Sequence, residues 1–319
     1  MARYILKRLL SMILILIAAA FLIFTILYLT PGEPARMLLG GTATEDEVRT
    51  MAHTLGTDRS YMEQLGEFMI NTFVRFKFGN SWLYKVPVMQ EMNNRLPHTI
   101  TIGLISMILT ALIGFGLGII AGTHEGKWQD SVTMAITMLL VSMPNFWLAL
   151  LMIILFSVNL GWLPAYGIDS WTSYIMPIVA STLGGVAMQA RQMRSAVLDV
   201  VRADYVTTAR AKGQTERKIT MRHILPNAAM PAITMLGGHL GGIVGGSAII
   251  ESVFSIPGVG LYMLAGINAR DYPVVRTCVL FFALVSSIAM ILTDIGYAYL
   301  DPRIKARYTN RKRKEEKEA

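Results

Sequence analysis

Residues 9–29 read LLSMILILIAAAFLIFTILYL, an apolar run without a single Asp, Glu, Lys or Arg. A helix needs roughly 20 apolar residues to cross the hydrocarbon core of a bilayer, so this run predicts a membrane-spanning helix. Arg3, Lys7 and Arg8 precede it, as in a signal peptide, but the run is longer than the apolar part of such a signal. The pattern therefore favours a retained anchor over a cleaved leader.

Five more windows lack charged side chains, and each is long enough for a spanning helix. They cover residues 96–124, 131–168, 170–190, 223–250 and 277–293. Since the backbone in lipid must satisfy its own hydrogen bonds, we expect helices throughout. The window 131–168 contains Pro144 near its middle and Gly161-Trp162-Leu163-Pro164 near its end. We predict one helix ending near Ser157 and then an external loop.

The composition excludes several classes of protein. Of the 319 residues 53% are hydrophobic and 16% are charged, whereas a soluble domain is about 25% charged. The apolar content also excludes a disordered chain. A single cysteine, Cys278, excludes a disulfide framework and any multi-cysteine metal cluster. The net charge of +8 could suggest nucleic acid, but the positions of the charges favour a membrane surface and no nucleic-acid partner.

The positions of Lys and Arg predict the orientation in the membrane. With a cytoplasmic N-terminus and six spans, 20 of the 29 basic residues fall on the cytoplasmic side. We therefore predict an all-α polytopic membrane protein with six transmembrane helices and both termini in the cytoplasm. The expected segments are a cytoplasmic N-terminus at 1–8, spans at 9–29, 98–121, 131–157, 172–192, 227–250 and 276–300, extracytoplasmic segments at 30–97 and 251–275, a cytoplasmic loop at 193–226 and a cytoplasmic tail at 301–319.

The external segment 30–97 is expected to form a folded cap. Residues 44–46 followed by Val48, Met51 and Leu55 predict a short capped amphipathic helix, and 61–76 predicts a second helix on the membrane surface.

The cytoplasmic loop 193–226 predicts two helical stretches that meet at Gly213. Asp204 is expected to cap the first stretch, and Gly213 fits the left-handed residue that ends it. Small side chains would let this helix enter a groove of another protein; the alternative is a basic loop that only faces lipid. The small residues are Ala203, Thr207, Thr208, Ala209 and Ala211.

The stretch YVTTARAKG at 205–213, with Leu225-Pro226 further on, resembles the "EAA" loop of binding-protein-dependent ABC importer permeases. More narrowly, the chain resembles the first permease type of the dipeptide/oligopeptide/nickel family over nearly its full length. Thr207 and Thr208 replace the first Glu and Ala of the name-giving triplet, as is usual in this subfamily. The other matching stretches are 3–32 with Pro31-Gly32, NNRLPHT at 93–99, GWLPA at 161–165, ESVFSIPGVG at 251–260, RDYP at 270–273 and Asp301-Pro302.

The resemblance implies the type I ABC importer permease fold in a bacterial cell membrane. It implies a second homologous permease, two ATPase subunits that hold ATP and Mg, and an extracytoplasmic binding protein, with no cofactor or metal in this chain. A coupling helix ending at Gly213 would sit in a cleft of the ATPase. The residues implied for coupling are Asp204, Tyr205, Ala209, Arg210, Ala211 and Gly213. Those implied for contact with the binding protein or substrate are Glu251, Pro257, Gly258 and Asp271, unless this loop only caps a helix.

Enzyme motifs are not found in the sequence. The nearest approach to a phosphate-binding loop, at 122–128, has three residues between its glycines and Trp128 where Ser or Thr is required. ATP hydrolysis is therefore expected on separate subunits. His239 and Asp294 fall inside predicted spans, where a carboxylate is often functional. We interpret both as helix-packing residues.

The predicted cargo is a di- or oligopeptide. Nickel is the alternative within the same family, although the five histidines are dispersed. A free-standing channel or secondary carrier is the alternative from another class, and it would require charged spans or an inverted repeat. Neither is found in the sequence, and a membrane enzyme lacks a catalytic constellation.

Overall fold

The structure is a computed structural model that describes the backbone of residues 2–300. Side chains in that range are described except at 2–5, 7, 232, 234–237, 239–247, 294 and 296–300. The described chain is mostly helical and contains no β-strand beyond one isolated bridge between Asn80 and Pro87. The all-α class is confirmed. The tail at 301–319 and the side chains of His239 and Asp294 lie outside the described residues.

The helices are numbered in chain order. They are α1 (Ala2–Leu29), α2 (Pro34–Leu39), α3 (Glu45–Leu55), α4 (Tyr61–Phe73), α5 (Val88–Thr123), α6 (Trp128–Ser142), α7 (Asn145–Met152) with a π-helical continuation (Ile153–Asn159), a 3₁₀ turn (Trp171–Tyr174), α8 (Ile175–Val201), α9 (Asp204–Ala211), α10 (Glu216–Ile219) with a π-helical turn (Thr220–Ile224), α11 (Leu225–Val253), α12 (Val259–Asn268) and α13 (Tyr272–Leu300).

Three helices of the described chain are long and apolar enough to cross a membrane: Arg8–Leu29 in α1, Val88–Thr123 in α5 and Tyr272–Thr293 in α13. The pair α6 and α7, with the π-helical continuation of α7, is apolar enough for a fourth span, but its two halves are bent by 98°. It counts as a span only if the two halves form one broken helix. The bend lies at Met143 and Pro144, which are both extended, as the residue before a proline is expected to be. The count of six spans stays a prediction.

Three helices precede α5 in the outer segment, and two of them, α3 and α4, were predicted. Thr44 begins α3 and Ser60 begins α4, each through a capping box with the glutamate three residues later. Tyr61 of α4 packs edge-on against Phe24 of α1 at a ring distance of 5.6 Å and hydrogen-bonds Thr25 at 2.8 Å. These contacts fix the outer segment to the end of α1.

The most extensive helix contact joins α5 and α8, which run in the same direction. Ser106 in the middle of α5 donates to the carbonyl of Ile178 near the start of α8. Thr110, one turn later in α5, donates to the carbonyl of Thr182, one turn later in α8. Gly114, Gly118 and Gly122 recur every fourth residue on the face of α5 that meets α8. A Cβ on Gly118 would lie only 2.6 Å from the carbonyl oxygen of Ala190, so the two backbones touch. This contact positions the C-terminal part of α8, from which α9 follows.

Candidate functional site

The helix α9 rests on a core formed by its own chain. Val206 is fully buried and Ala209 is 5% exposed. Both belong to one apolar cluster with residues of α8, α10 and α11. One side of α9 is therefore fixed against the helix bundle. The other members of the cluster are Met193, Ala196, Val197, Ile219, Ile224 and Ala228.

The predicted end of α9 is confirmed, and its predicted cap is wrong. Gly213 has a φ of +75°, and the amide of Gln214 beyond it donates to the carbonyl of Ala209. Nothing lies within 4 Å of a Cβ built on Gly213, so the backbone conformation and not space requires glycine. At the other end Ala203 is the N-cap, and Asp204 is already the first helical residue with no capping bond. Its carboxylate still lies at the positive end of the helix dipole.

The opposite side of α9 faces outward. Tyr205 is 47% exposed, and Asp204, Arg210, Ala211 and Gly213 are exposed as well. Of the residues expected to contact an ATPase, only Ala209 turns inward, because its small side chain fills a place in the apolar cluster. The exposed residues of α9 form one surface, which we call the α9 face: Asp204, Tyr205, Thr207, Thr208, Arg210 and Ala211.

Arg210 does not extend freely from this surface. Its Nε donates to Glu216 Oε1 at 2.7 Å and its Nη2 to Oε2 at 3.3 Å. The hydrogen bonds from Arg210 lower the pKa of the Glu216 carboxyl. Both side chains are largely exposed, so the pair orders the turn more than it stabilises the fold. Sequence analysis did not find this partner, since Glu216 follows the reversal at Gly213.

Two ion pairs connect the C-terminal end of α8 to the first turn of α6 and to the loop before it. Arg194 donates to Asp130 Oδ1 at 2.5 Å and to Oδ2 at 2.7 Å, and the Gly126 amide also donates to Oδ2. Arg202, two residues before α9, donates to Glu125 at 2.7 Å. The first pair is mostly buried and the second is exposed. Sequence analysis missed both pairs, because the partners are 64 and 77 residues apart.

At the other end of α5, Glu251 has no exposed surface. It accepts hydrogen bonds from Thr99 Oγ1 at 2.7 Å and from the Leu261 amide at 2.8 Å. Thr99 Oγ1 in turn accepts from the Val259 amide at 2.9 Å. The first amides of α12, which have no partner inside the helix, are thus satisfied by side chains of α5 and α11.

The other residues predicted to contact a binding protein lie around this centre. Gly258 packs against the Glu251 carboxylate so closely that a Cβ would overlap it, and Pro257 is partly exposed. Asp271 is 1% exposed and accepts from Ser81 Oγ at 2.5 Å and from the Leu83 amide at 3.1 Å. The buried carboxylates of Glu251 and Asp271 therefore hold the loop in place, while Pro257 lies nearer the surface.

Among the described side chains no group of three or more His, Cys, Asp or Glu is placed to hold a metal ion.

Two family models together cover almost the whole chain. The N-terminal model of binding-protein-dependent transport system membrane components matches residues 1–103. The model described as "Binding-protein-dependent transport system inner membrane component" matches residues 114–306. The chain belongs to this family. It is a multi-pass permease subunit of an ABC importer in the bacterial inner membrane, and it is a transport component rather than an enzyme.

Related permeases align with this chain over nearly its full length. The glutathione transport system permease protein GsiC of Salmonella choleraesuis strain SC-B67 is 36% identical over 305 residues, which are 96% of this chain and 99% of the relative. GsiC of Escherichia coli strain K12 has the same identity and coverage. The resemblance to the dipeptide/oligopeptide/nickel permease family is confirmed.

Solved structures agree at the level of the fold. The MetNI methionine ABC transporter in an inward-facing form matches with a TM-score of 0.57 and 20% identity, over 67% of this chain and 97% of that one. An amino acid ABC transporter matches with a TM-score of 0.53 and 15% identity, over 65% and 92%. As a binding-protein-dependent ABC permease, the subunit works with an ATPase and a substrate-binding protein.

Proposed function

We propose that this permease imports di- or oligopeptides and that its helices cross the membrane six times with both termini in the cytoplasm. The parallel packing of α5 and α8 supports this topology, because a single return crossing between them, by the bent pair α6 and α7, leaves them parallel. The length of α8 and α11, 27 and 29 residues, is sufficient for two more spans.

The cargo is proposed from the relatives. GsiC is named for the transport of glutathione, which is a tripeptide, and it aligns with this chain from end to end. Nickel stays the alternative within the family. ATP-driven uptake by proteoliposomes that contain the whole transporter distinguishes them, with radiolabelled dipeptide, glutathione and nickel supplied with the binding protein. Uptake of nickel without either peptide would reject the proposed cargo.

The α9 face is proposed to be the coupling surface. It combines a buried side, which follows the bundle, with an exposed side that carries small residues around Tyr205. The ion pairs of Arg194 and Arg202 connect the end of α8 to the first turn of α6 and to the α5–α6 loop, so these segments are expected to move together when α9 is displaced. ATP and Mg would be held by two ATPase subunits, and a second homologous permease would complete the complex.

Tyr205→Ala tests the coupling surface. The substitution removes a 47% exposed ring from the α9 face, whereas Tyr166→Ala removes a 73% exposed ring from the loop that follows the π-helical turn after α7. We expect Tyr205→Ala to reduce ATPase co-purification and peptide-stimulated ATP hydrolysis, and Tyr166→Ala to leave both unchanged. Equal behaviour of the two variants would reject α9 as the contact.

A further inference from the structure

A cavity of about 280 Å³ opens between the outer segment and the start of α13. Its wall includes the end of α3, the inner side of α4, residues 77–79 and the first turns of α13. The hydrogen bond from Thr277 to the carbonyl of Phe78 draws these parts together. This cavity is separate from the α9 face and from the buried centre at Glu251.

The wall of the cavity is rich in cations. Arg59, Lys77 and Arg276 line it, while Glu67 is its single acidic residue. Glu67 is already bound to Arg59 at 2.8 Å. Among the described side chains, neither Lys77 nor Arg276 forms an ion pair. Two positive charges thus border one cavity without a matching carboxylate.

Arg276 is held in place by aromatic rings rather than by an anion. Its Cζ lies 4.4 Å from the ring centre of Phe24, 5.1 Å from that of Phe68 and 5.5 Å from that of Tyr272. Such contacts engage the face of the guanidinium and leave its N–H groups unbonded. Its Nε is buried and has no hydrogen-bond partner. Buried donors of this kind are nearly always satisfied, so an oxygen-bearing group is expected there.

The position of the cavity along the two apolar helices indicates the source of that oxygen-bearing group. Phe24 lies close to the end of α1, and Arg276 lies close to the start of α13, so the guanidinium sits near the ends of two apolar helices. Phospholipid headgroups occupy this level of a membrane. Ile70, Val74 and Phe76, exposed by 48%, 71% and 74%, lie along and just after α4 and could contact acyl chains.

We infer that this cavity binds a phosphate group, and that the phosphate belongs to the headgroup of an anionic phospholipid. The planar guanidinium of Arg276 can donate two parallel hydrogen bonds to phosphate oxygens, and the Lys77 ammonium adds a second positive charge to the lining of the same cavity. The bound lipid would fix α4 and the outer segment against α1 and α13. Inorganic phosphate has the same chemistry and is the soluble source to be distinguished.

Native mass spectrometry of the full-length chain in mild detergent tests the site. Phosphatidylglycerol and phosphatidylcholine are added in equal amounts, and the lipid retained on the protein is counted. Wild type is expected to retain phosphatidylglycerol preferentially. Lys77→Gln and Arg276→Gln should each weaken that preference about tenfold, as loss of a charge-assisted hydrogen bond predicts. Lys77 is exposed, so its variant should keep the fold if Arg276→Gln does not.

Lys85→Gln is the matched control, because Lys85 is an exposed lysine of the same segment outside the cavity wall. Retention of phosphatidylglycerol by this variant and its loss from Lys77→Gln supports a lipid in the cavity. Displacement of the lipid by inorganic phosphate, with phosphate binding that is lost in Lys77→Gln, supports the phosphate site with a soluble source. Equal retention of phosphatidylglycerol by all variants, or no preference in wild type, overturns the inference.

Discussion

Thr99 and Glu251, which are 152 residues apart in the chain, share a 2.7 Å hydrogen bond, and neither residue has any exposed surface. The Val259 amide binds Thr99 and the Leu261 amide binds Glu251, so one pair of side chains connects α5, α11 and α12. The start of α12 is therefore held by buried side chains of α5 and α11, and its position depends on the Glu251 carboxylate.

Glu251→Gln is expected to lower the stability of the permease by about 1–3 kcal/mol, since the amide has one acceptor oxygen in place of two and leaves a buried donor unsatisfied. The thermal unfolding midpoint of the purified chain measures the loss. Glu33→Gln changes a glutamate that is 64% exposed and serves as the control. An unaltered midpoint for Glu251→Gln would contradict the role given to this carboxylate.

The contact of α5 with α8 predicts a large difference between two glycines of one helix. Gly118→Ala should destabilise the permease by about 1–3 kcal/mol, because the added methyl group meets the backbone of α8. At Gly116 nothing lies within 4 Å of a Cβ. Gly116→Ala should be neutral or slightly stabilising, since alanine favours the helix.

Thermal unfolding and the yield of folded chain compare the two variants. Equal unfolding temperatures of Gly118→Ala and Gly116→Ala would contradict the close approach of α5 and α8 at Gly118.

The ion pair of Arg194 with Asp130 should contribute more than that of Arg202 with Glu125. The Asp130 side chain is 7% exposed, and its removal leaves a partly buried guanidinium unpaired, so Asp130→Asn is expected to cost about 3 kcal/mol. Glu125→Gln breaks an exposed pair and should cost less than about 1 kcal/mol.

Chemical unfolding of both variants measures these losses, and ATP-driven uptake then reports the effect on transport. Equal losses of stability would show that the two pairs are equivalent. Normal uptake by a folded Asp130→Asn variant would argue against transmission through this contact.

At Gly213 the effect of backbone strain can be measured without steric overlap, since its φ is positive while the space around it is open. Gly213→Val should strain the turn by about 1–2 kcal/mol and displace the end of α9. Gly213→Asn should be tolerated better, because asparagine adopts the left-handed conformation more readily. Co-purification of the ATPase is the measurement. Complete retention by Gly213→Val would show that the turn is not needed for docking.

The helical character of α1, α5 and α13 followed from length and apolarity alone. The capped start of α3 at Thr44 followed from residues that are neighbours in sequence, whereas the cap of α4 at Ser60 was found only in the structure. Gly213 was predicted for the same reason: a left-handed residue leaves a local signature. The error at Asp204 is also local, because the helix begins one residue earlier than the cap would require.

The bend of 98° at Pro144 was only partly visible in the sequence. A proline near the middle of a long window marks a possible break, but whether the helix kinks slightly or turns sharply depends on what packs against each half. Glu251 and Asp271 show the same limit. Their place in the family motif suggested contact with a partner, whereas their burial shows that they also hold the loop together.

By itself, the sequence determined that this chain is a helical membrane protein, that a left-handed residue at Gly213 ends the α9 stretch, and that the chain resembles the importer permeases. Apolar runs, caps and motifs are properties of adjacent residues, so the sequence shows them directly. Only the tertiary structure decided which face of α9 is buried, how Gly118 meets Ala190 and which acids pair with Arg194 and Arg210. It also decided that Lys77 and Arg276 border one cavity whose single acid, Glu67, is already paired with Arg59. Each of these depends on the packing of segments that are distant in the chain, and a hydrophobic pattern does not specify which partners meet.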